Sequence, residues 1–281
     1  MIVLARLTVR EALRRRLLWV LIGLSLVSVA LVGWGVSALV ALARESGTEE
    51  VTIQLGVSQV LIFIAFMFSF VLAMTAAFLG SPAIAADLES GVALALLARP
   101  IRRADLVLGR WLGLSLVIAG YAAASGLLAI AVVGALSGYT PPNPFVAVLY
   151  LAAQAIVLLT LTLLLSTRFA SVAGGAIAVV AYGLAWMGGV MGGVARALDA
   201  APLASAADLS RFLLPSDGLW RGVVHGLEPA IVVAGVGGSP GAAANPFFAE
   251  DAPPEVFLAW SVAWVAGVVA LAVVSLRRRE L

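Results

Sequence analysis

The chain has 281 residues, of which 63% are hydrophobic and 11% are charged, and its formal net charge is +2. A soluble domain carries about a quarter charged residues, so this composition argues against one and predicts an integral membrane protein. The chain has no cysteine, no lysine and one histidine, which excludes disulfides, thiolate metal sites, histidine clusters and the lysine of a phosphate-binding P-loop.

The N-terminal segment, residues 1–16, mixes apolar residues with arginines. This pattern predicts an amphipathic elbow helix that lies in the membrane interface. We expect Arg10, Arg14, Arg15 and Arg16 to contact anionic lipid headgroups there. A basic end that only fixes the topology is the alternative interpretation.

Six segments without charge are long enough to supply the ~20 residues that cross a hydrocarbon core. The predicted spans are residues 17–43, 57–79, 111–136, 146–167, 169–195 and 256–276. Consecutive prolines within residues 137–144 separate the third span from the fourth. Residues 229–249 are also uncharged, but their glycines and prolines predict a loop or a shallow re-entrant turn.

The distribution of charge orients these spans, because arginine and lysine favour the cytoplasmic side. If both termini are cytoplasmic, thirteen of the 17 arginines lie inside and ten of the 15 acidic residues lie outside. Residues 196–255 then form an extracytoplasmic loop, in which Trp220 and apolar residues at helical intervals predict interfacial helices. The predicted fold is all-α, with six transmembrane helices and both termini in the cytoplasm.

The charged segment 82–110 falls between spans two and three and would lie in the cytoplasm. Its apolar periodicity predicts a short helix over about residues 84–98, which Arg99 and Pro100 end, and a new helix that begins near Ala104. A basic anchor is one interpretation of this segment. The presence of both charge signs and a proline turn favours a docking surface for a soluble partner.

Residues 87–113, DLESGVALALLARPIRRADLVLGRWLG, resemble the cytoplasmic loop of the type-2 (ABC-2) permeases of ABC transporters. The basic segments 8–21 and 275–281 are similar to the ends of those permeases. Residues 212–222, FLLPSDGLWRG, are similar to a segment of one subgroup, which includes the accessory permease for copper-site maturation of nitrous-oxide reductase. The residues that match the loop motif are Asp87, Glu89, Gly91, Leu96, Leu97, Arg99, Pro100, Arg103, Gly109 and Arg110.

The resemblance implies an exporter in which two permease copies, identical or related, stand above two cytoplasmic ATPase subunits that hold ATP and magnesium. It implies that the helix 84–98 is a coupling helix in a groove of the ATPase, where acidic residues meet basic groups and arginines meet acids or headgroups. A stiff turn at the proline would transmit force. The predicted coupling residues are Asp87, Glu89, Gly91, Arg99, Pro100, Arg102 and Arg103.

Span five contains four glycines at the small-x-x-x-small spacing that allows two helices to approach closely. These are Gly188, Gly189, Gly192 and Gly193. Two interpretations stay open, a seam between two copies of the chain and packing within one copy.

The function expected from the sequence is that of a transport subunit rather than an enzyme. We expect no catalytic residue, no metal site, no cofactor in this chain and no nucleic-acid partner. The alternative is a multipass scaffold or assembly factor that anchors a cytoplasmic partner without transport. Abundant alanine and arginine without lysine suggest a prokaryote, so the expected location is its inner or plasma membrane.

Overall fold

A computed structural model describes residues 1–14, 16–90, 102–237 and 239–279, and in these ranges the regular structure is entirely helical. The helices follow one another in the chain with short connections. They are α1 (Ile2–Arg14), α2 (Arg16–Glu45), α3 (Glu50–Gly80), α4 (Pro82–Glu89), α5 (Arg103–Ser137), α6 (Pro144–Ser166), α7 (Ser171–Ala197), α8 (Ala201–Leu213), α9 (Ser216–Leu227), α10 (Ala230–Val236), α11 (Pro240–Ala244) and α12 (Glu255–Arg277).

Six helical segments of the described residues are long and apolar enough to cross a membrane. They are α2, the continuous pair α3 and α4, and then α5, α6, α7 and α12. The prediction of an all-α protein with six spans is therefore confirmed. Residues 229–249 form only the short helices α10 and α11, both too short to span a bilayer.

Two helices begin well before the predicted spans. Helix α3 begins at Glu50 and α5 begins at Arg103, so residues 103–110 are helical rather than part of a loop. Packing extends α5, because its first turns lie against α1. At the other side of the charged segment, Ser81 keeps helical dihedral angles and Pro82 opens α4. A proline at this position removes one backbone hydrogen bond and bends the chain.

Both termini lie at the same end of the bundle, which we call the arginine-rich end. The N-terminal amino group lies 3.7 Å from Asp105 near the beginning of α5. Arg103 donates hydrogen bonds of 2.9, 2.9 and 3.0 Å to the carbonyls of Leu276, Arg277 and Arg279. These carbonyls include unpaired ones at the C-terminal end of α12, so one guanidinium fixes the C-terminal end of α12 to α5.

Helix α1 packs against α5 through small residues. Its buried residues are Ala5, Thr8 and Ala12, and they face glycines of α5. A methyl group added at Gly113 would lie 2.7 Å from the carbonyl oxygen of Ala5 and 2.7 Å from Cβ of Thr8. Close approach of these two backbones therefore requires glycine at this position.

Replacement of Gly113 with alanine is expected to lower the free energy of unfolding by about 1–2 kcal/mol, because the added methyl group forces α1 away from α5. Chemical unfolding of the purified chain in mixed micelles measures this change. The matched control is Gly120→Ala in the same helix, where an added Cβ has no neighbour within 4 Å. Equal stability of the two variants would contradict the packing described here.

Residues 196–255 were predicted to form helices in the membrane interface, but the structure has a helical hairpin that enters the bundle. Helix α8 runs antiparallel to α7. A methyl group added at Gly192 would lie 2.6 Å from Cβ of Ala207, and one at Gly188 would lie 2.6 Å from Oγ of Ser210. The chain of α8 therefore descends along α7 from the end opposite the arginine-rich end, which we call the hairpin end.

Helix α9 returns along α6 to the hairpin end. Gln154 of α6 donates a 3.2 Å hydrogen bond to the carbonyl of Ser216, the first residue of α9. Near the other end of α9, a Cβ at Gly226 would lie 3.0 Å from Ala147. Gln154 follows Pro144 by about 15 Å of helix at 1.5 Å per residue, which is half of a ~30 Å hydrocarbon core. The tip of the hairpin thus reaches the middle of the bundle.

Glycines at every fourth position give α9 a smooth face, which explains its depth. A Cβ at Gly222 would lie 2.7 Å from the ring of Tyr150, and one at Gly218 would overlap the ring of Phe257. Ten of the twelve residues of α9 are buried. Large aromatic side chains on α6 and α12 occupy the space that side chains on α9 would otherwise need.

Tryptophans satisfy the backbone at the tip of the hairpin. The indole nitrogens of Trp260 and Trp264 in α12 donate to the carbonyls of Phe212 and Leu213, at 3.3 and 2.9 Å. Helix ends leave such carbonyls unpaired, and unpaired backbone groups are costly within a membrane. The two indoles therefore stabilise the end of α8.

Candidate functional site

The arginine-rich end contains an ion-pair bridge that joins three helices. Arg110 of α5 contacts Glu11 of α1 at 2.6 Å and Asp87 of α4 at 2.8 Å. The side chains of Arg110 and Asp87 are only 16% and 18% exposed, whereas that of Glu11 is 46% exposed. The contact between Arg110 and Asp87 is thus the more strongly stabilising of the two, because exposed pairs contribute little.

Glu89 lies at the end of α4 and contacts the beginning of α7. Its Oε1 accepts a 2.9 Å hydrogen bond from the backbone N–H of Ser171, the first residue of α7. A carboxylate at a helix N-terminus satisfies an unpaired N–H and interacts favourably with the helix dipole. Asp87, Glu89 and Arg103, all predicted to contact an ATPase, therefore form bonds within the chain that join α4, α5, α7 and α12.

The remaining predicted coupling residues are less constrained by the described structure. Arg102 is exposed immediately before α5. Gly91, Arg99 and Pro100 lie outside the described residues, as does Arg15 of the predicted membrane-surface group. The other members of that group, Arg10, Arg14 and Arg16, are exposed.

The exposed surface of α1 also carries large apolar side chains. Ile2, Val3, Leu7 and Leu13 are all exposed, and they lie among the arginines of the same helix. A helix with this composition is typical of segments that lie in a membrane interface. The structure thus leaves α1 with a surface suited to lipid.

The predicted glycine seam in α7 packs within the chain. Gly188 and Gly192 face α8, as described above, and Gly189 faces the carboxylate of Asp217 in α9. A methyl group at Gly189 would overlap this carboxylate. Gly193 is buried. Of the two interpretations left open by the spacing, the structure supports packing within one copy of the chain for the first three glycines.

A buried polar network lies at the level of the hairpin tip. Ser69 of α3 donates a 3.0 Å hydrogen bond to Gln154 and lies 2.8 Å from the hydroxyl of Tyr182 in α7. Gln154 also contacts Ser216 of α9, so four helices meet here. Hydrogen bonds between buried side chains join helices in membrane proteins, and this network holds α3, α6, α7 and α9 together.

The hairpin also carries buried charge. Asp217, in the first turn of α9, is 5% exposed and accepts a 2.8 Å hydrogen bond from Nε of Arg211 in α8. Arg221 lies 3.7 Å from the same carboxylate, and Arg196 of α7 pairs with Asp208 of α8. Charged groups at this depth require partners, and these ion pairs supply them.

A cavity of about 640 Å³ opens beside these ion pairs at the hairpin end. Its volume is in the range of small-molecule sites. Basic groups of three helices, Arg196, Arg211 and Arg221, line it together with Asp199 and Asp251. The arrangement provides polar contacts of both signs and, among the described residues, no grouping that indicates bond-breaking chemistry.

The sequence interpretation missed the role of Asp217. It considered this residue only with His225 and Ser216 as a catalytic triad, which the spacing argued against. The pairing signal was local, because Arg221 follows Asp217 by four residues, the spacing of ion pairs on a helix. His225 contacts the carbonyl of Ala249 at 3.4 Å.

Six apolar helices, a buried polar network and charged ends define a multipass membrane protein with the architecture of a permease. The family model described as ABC-2 family transporter protein matches residues 2–281. The chain therefore belongs to the ABC-2 transporter family, and this family membership implies an ABC ATPase as partner. The match does not distinguish the copper-maturation subgroup. No curated protein matches this chain.

Proposed function

We propose that this chain is the membrane subunit of an ABC exporter and that a separate cytoplasmic subunit hydrolyses the ATP. The observation that carries the proposal is the family match over residues 2–281. The six apolar helices support a permease. The absence of lysine from the chain also fits an ATP site elsewhere, because a P-loop uses a lysine to hold phosphates.

In this proposal the ATPase contacts the segment between α4 and α5, at the arginine-rich end. The segment begins after the exposed Ser90 and ends at the exposed Arg102. Gly91, Arg99 and Pro100 belong to it. Arginine is well suited to such a contact, because its planar guanidinium binds carboxylates through two parallel hydrogen bonds.

Asp87, Glu89 and Arg103 have a different role in the proposal, since their side chains bond within the chain. Asp87 joins α4 to α5, Glu89 joins α4 to α7, and Arg103 joins α5 to α12. A movement of the coupling segment would therefore displace several spans together. These residues transmit the motion, and Arg102 and its neighbours receive it.

The membrane and a second copy complete the proposed transporter. Because arginines favour the cytoplasmic side, we place the arginine-rich end in the cytoplasm of a prokaryotic plasma membrane. Arg10, Arg14, Arg15 and Arg16 would then meet anionic headgroups, and the apolar residues of α1 would enter the interface. A second copy of the chain, or a related one, forms the dimer.

Co-purification of the tagged full-length chain from its own membranes tests this function. We expect a P-loop ATPase to co-purify and to hydrolyse ATP after reconstitution in lipid. Arg102→Ala is expected to weaken ATPase binding about tenfold, the effect of losing about 1.4 kcal/mol at an interface. The control is Arg44→Ala, since Arg44 is 54% exposed at the hairpin end.

The scaffold interpretation makes a different prediction in the same experiment. A scaffold would retain a partner that does not bind or hydrolyse ATP, with no change on addition of nucleotide. Absence of any ATPase from the purified material, or equal effects of Arg102→Ala and Arg44→Ala, would contradict the exporter proposal.

A further inference from the structure

The most deeply buried carboxyl group at the hairpin end that lacks an ion-pair partner in the described structure belongs to Glu228, directly after α9. The residue is 2% exposed. Its Oε2 accepts a 3.1 Å hydrogen bond from the backbone N–H of Ala249, whereas its buried Oε1 has no hydrogen-bond partner in the described residues. A buried carboxylate with an unpaired oxygen is costly, so this group favours the protonated form.

The groups that face Glu228 from the neighbouring elements do not neutralise its charge. Gln59 of α3 supplies a hydrogen bond to the carboxyl group. Tyr139, between α5 and α6, donates its hydroxyl to the carbonyl of Leu227 at 2.6 Å. His225 of α9 contacts the carbonyl of Ala249 at 3.4 Å. The C-terminal end of α9 adds negative potential at this point.

The electrostatic consequence follows from this surrounding. Burial raises the pKa of Glu228 to about 7, although the hydrogen bonds from Ala249 and Gln59 oppose the shift. Burial, and then the charge of Glu228, raise the pKa of Tyr139. The group therefore changes its charge near neutral pH.

Glu228 is bonded to residues 245–249, NPFFA, which we call the NPFFA segment. The indole of Trp220 donates a 2.8 Å hydrogen bond to the carbonyl of Pro246. The ring of Phe247 packs edge-on against Phe66 of α3, with centroids 5.3 Å apart. Phe248 and Ala249 are 5% and 4% exposed. The segment thus covers α3 and α9 at the hairpin end.

We propose that Glu228 is a proton-binding latch, which keeps the NPFFA segment seated on α3 and α9 when protonated and releases it when ionised. The sign follows from linkage. A carboxyl group with a raised pKa stabilises the seated state below its unperturbed pKa, and this stability is lost as pH rises through about 7. The released state hydrates the carboxylate. This conformational proposal does not depend on the ATPase.

Cysteine labelling tests the latch, and the chain has no native cysteine. Ala249→Cys reports on the NPFFA segment, and Ser46→Cys, at an exposed residue of the same end, corrects for the pH dependence of the thiol. We expect the ratio of the two maleimide rates to rise about tenfold or more between pH 5 and 8.5. A ratio that does not change with pH overturns the proposal.

Two further variants assign the effect to its residue. Glu228→Gln is neutral and of similar shape, so its labelling ratio should stay low at every pH. His225→Gln should retain the rise, because His225 also titrates in this range. A rise that persists in Glu228→Gln, or that disappears in His225→Gln, overturns the proposal.

Hydrogen exchange provides a measurement without substitutions. The amide of Ala249 is the donor to Glu228, so its exchange reports directly on the bond. After correction for the intrinsic pH dependence of exchange, its protection should fall about tenfold or more from pH 5 to 8.5. Constant protection would overturn the latch even if the variants failed to fold.

Discussion

Replacement of Gly189 with alanine is expected to destabilise the chain by about 3–5 kcal/mol. The new methyl group would overlap the carboxylate of Asp217, which is 5% exposed and bonded to Arg211. Relief of the overlap moves Asp217 away from Arg211 or lifts the hairpin from α7. Loss of one partner from a buried ion pair costs about 3–5 kcal/mol.

The matched control is Gly183→Ala in the same helix, where an added Cβ has no neighbour within 4 Å. This variant should be neutral or up to ~1 kcal/mol more stable, because alanine favours a helix more than glycine does. Unfolding of both variants in mixed micelles measures the difference. If Gly189→Ala is as stable as Gly183→Ala, the hairpin does not pack against α7 as described.

Replacement of Arg110 with alanine is expected to cost about 3 kcal/mol. Asp87 would remain 18% exposed without its cation, and a buried unpaired carboxylate is strongly unfavourable. The contact with Glu11 adds about 0.5 kcal/mol at most, since this carboxylate is largely exposed. The loss should also separate α1 and α4 from α5.

A double-mutant cycle distinguishes the ion pair from simple loss of packing. The double variant Arg110→Ala with Asp87→Ala should be more stable than Arg110→Ala alone, because it removes the unpaired carboxylate. Arg14→Ala is the control, since Arg14 is exposed on α1. Additive losses in the cycle, or equal losses for Arg110→Ala and Arg14→Ala, would contradict the bridge.

The sequence predicted the six spans because hydrophobic length is a local property. The spans need only about 20 apolar residues each, and proline clusters such as residues 137–144 separate them. Helix ends were harder to predict. Arg103 begins α5 eight residues before the predicted span, because contact with α1 extends the helix beyond the apolar run.

The hairpin could not be predicted from local patterns. Its depth depends on glycines of α9 that match aromatic residues far away in the chain, as Gly222 matches Tyr150. The sequence showed no charge within a span, yet the fold brings Asp217 next to Gly189 in the middle of α7. Distant contacts of this kind decide whether an amphipathic pair lies on the membrane or enters the bundle.

The candidate coupling site was predicted in part. The sequence indicated correctly that residues 87–110 are unusual, because acids, arginines and a proline interrupt two apolar regions. It assigned Asp87 and Glu89 to a partner surface, whereas the structure bonds them to Arg110 and Ser171. The same carboxylates serve either purpose in a sequence, and only tertiary contacts distinguish them.

The central claim is that an ATPase drives this permease from the arginine-rich end. A photo-crosslinking amino acid at Ser90, which is exposed at the end of α4, tests it directly in native membranes, with Ser46 at the hairpin end as the matched position. We predict that Ser90 captures a P-loop ATPase and that Ser46 does not. Capture of no ATPase from Ser90, or equal capture from Ser46, would contradict this account.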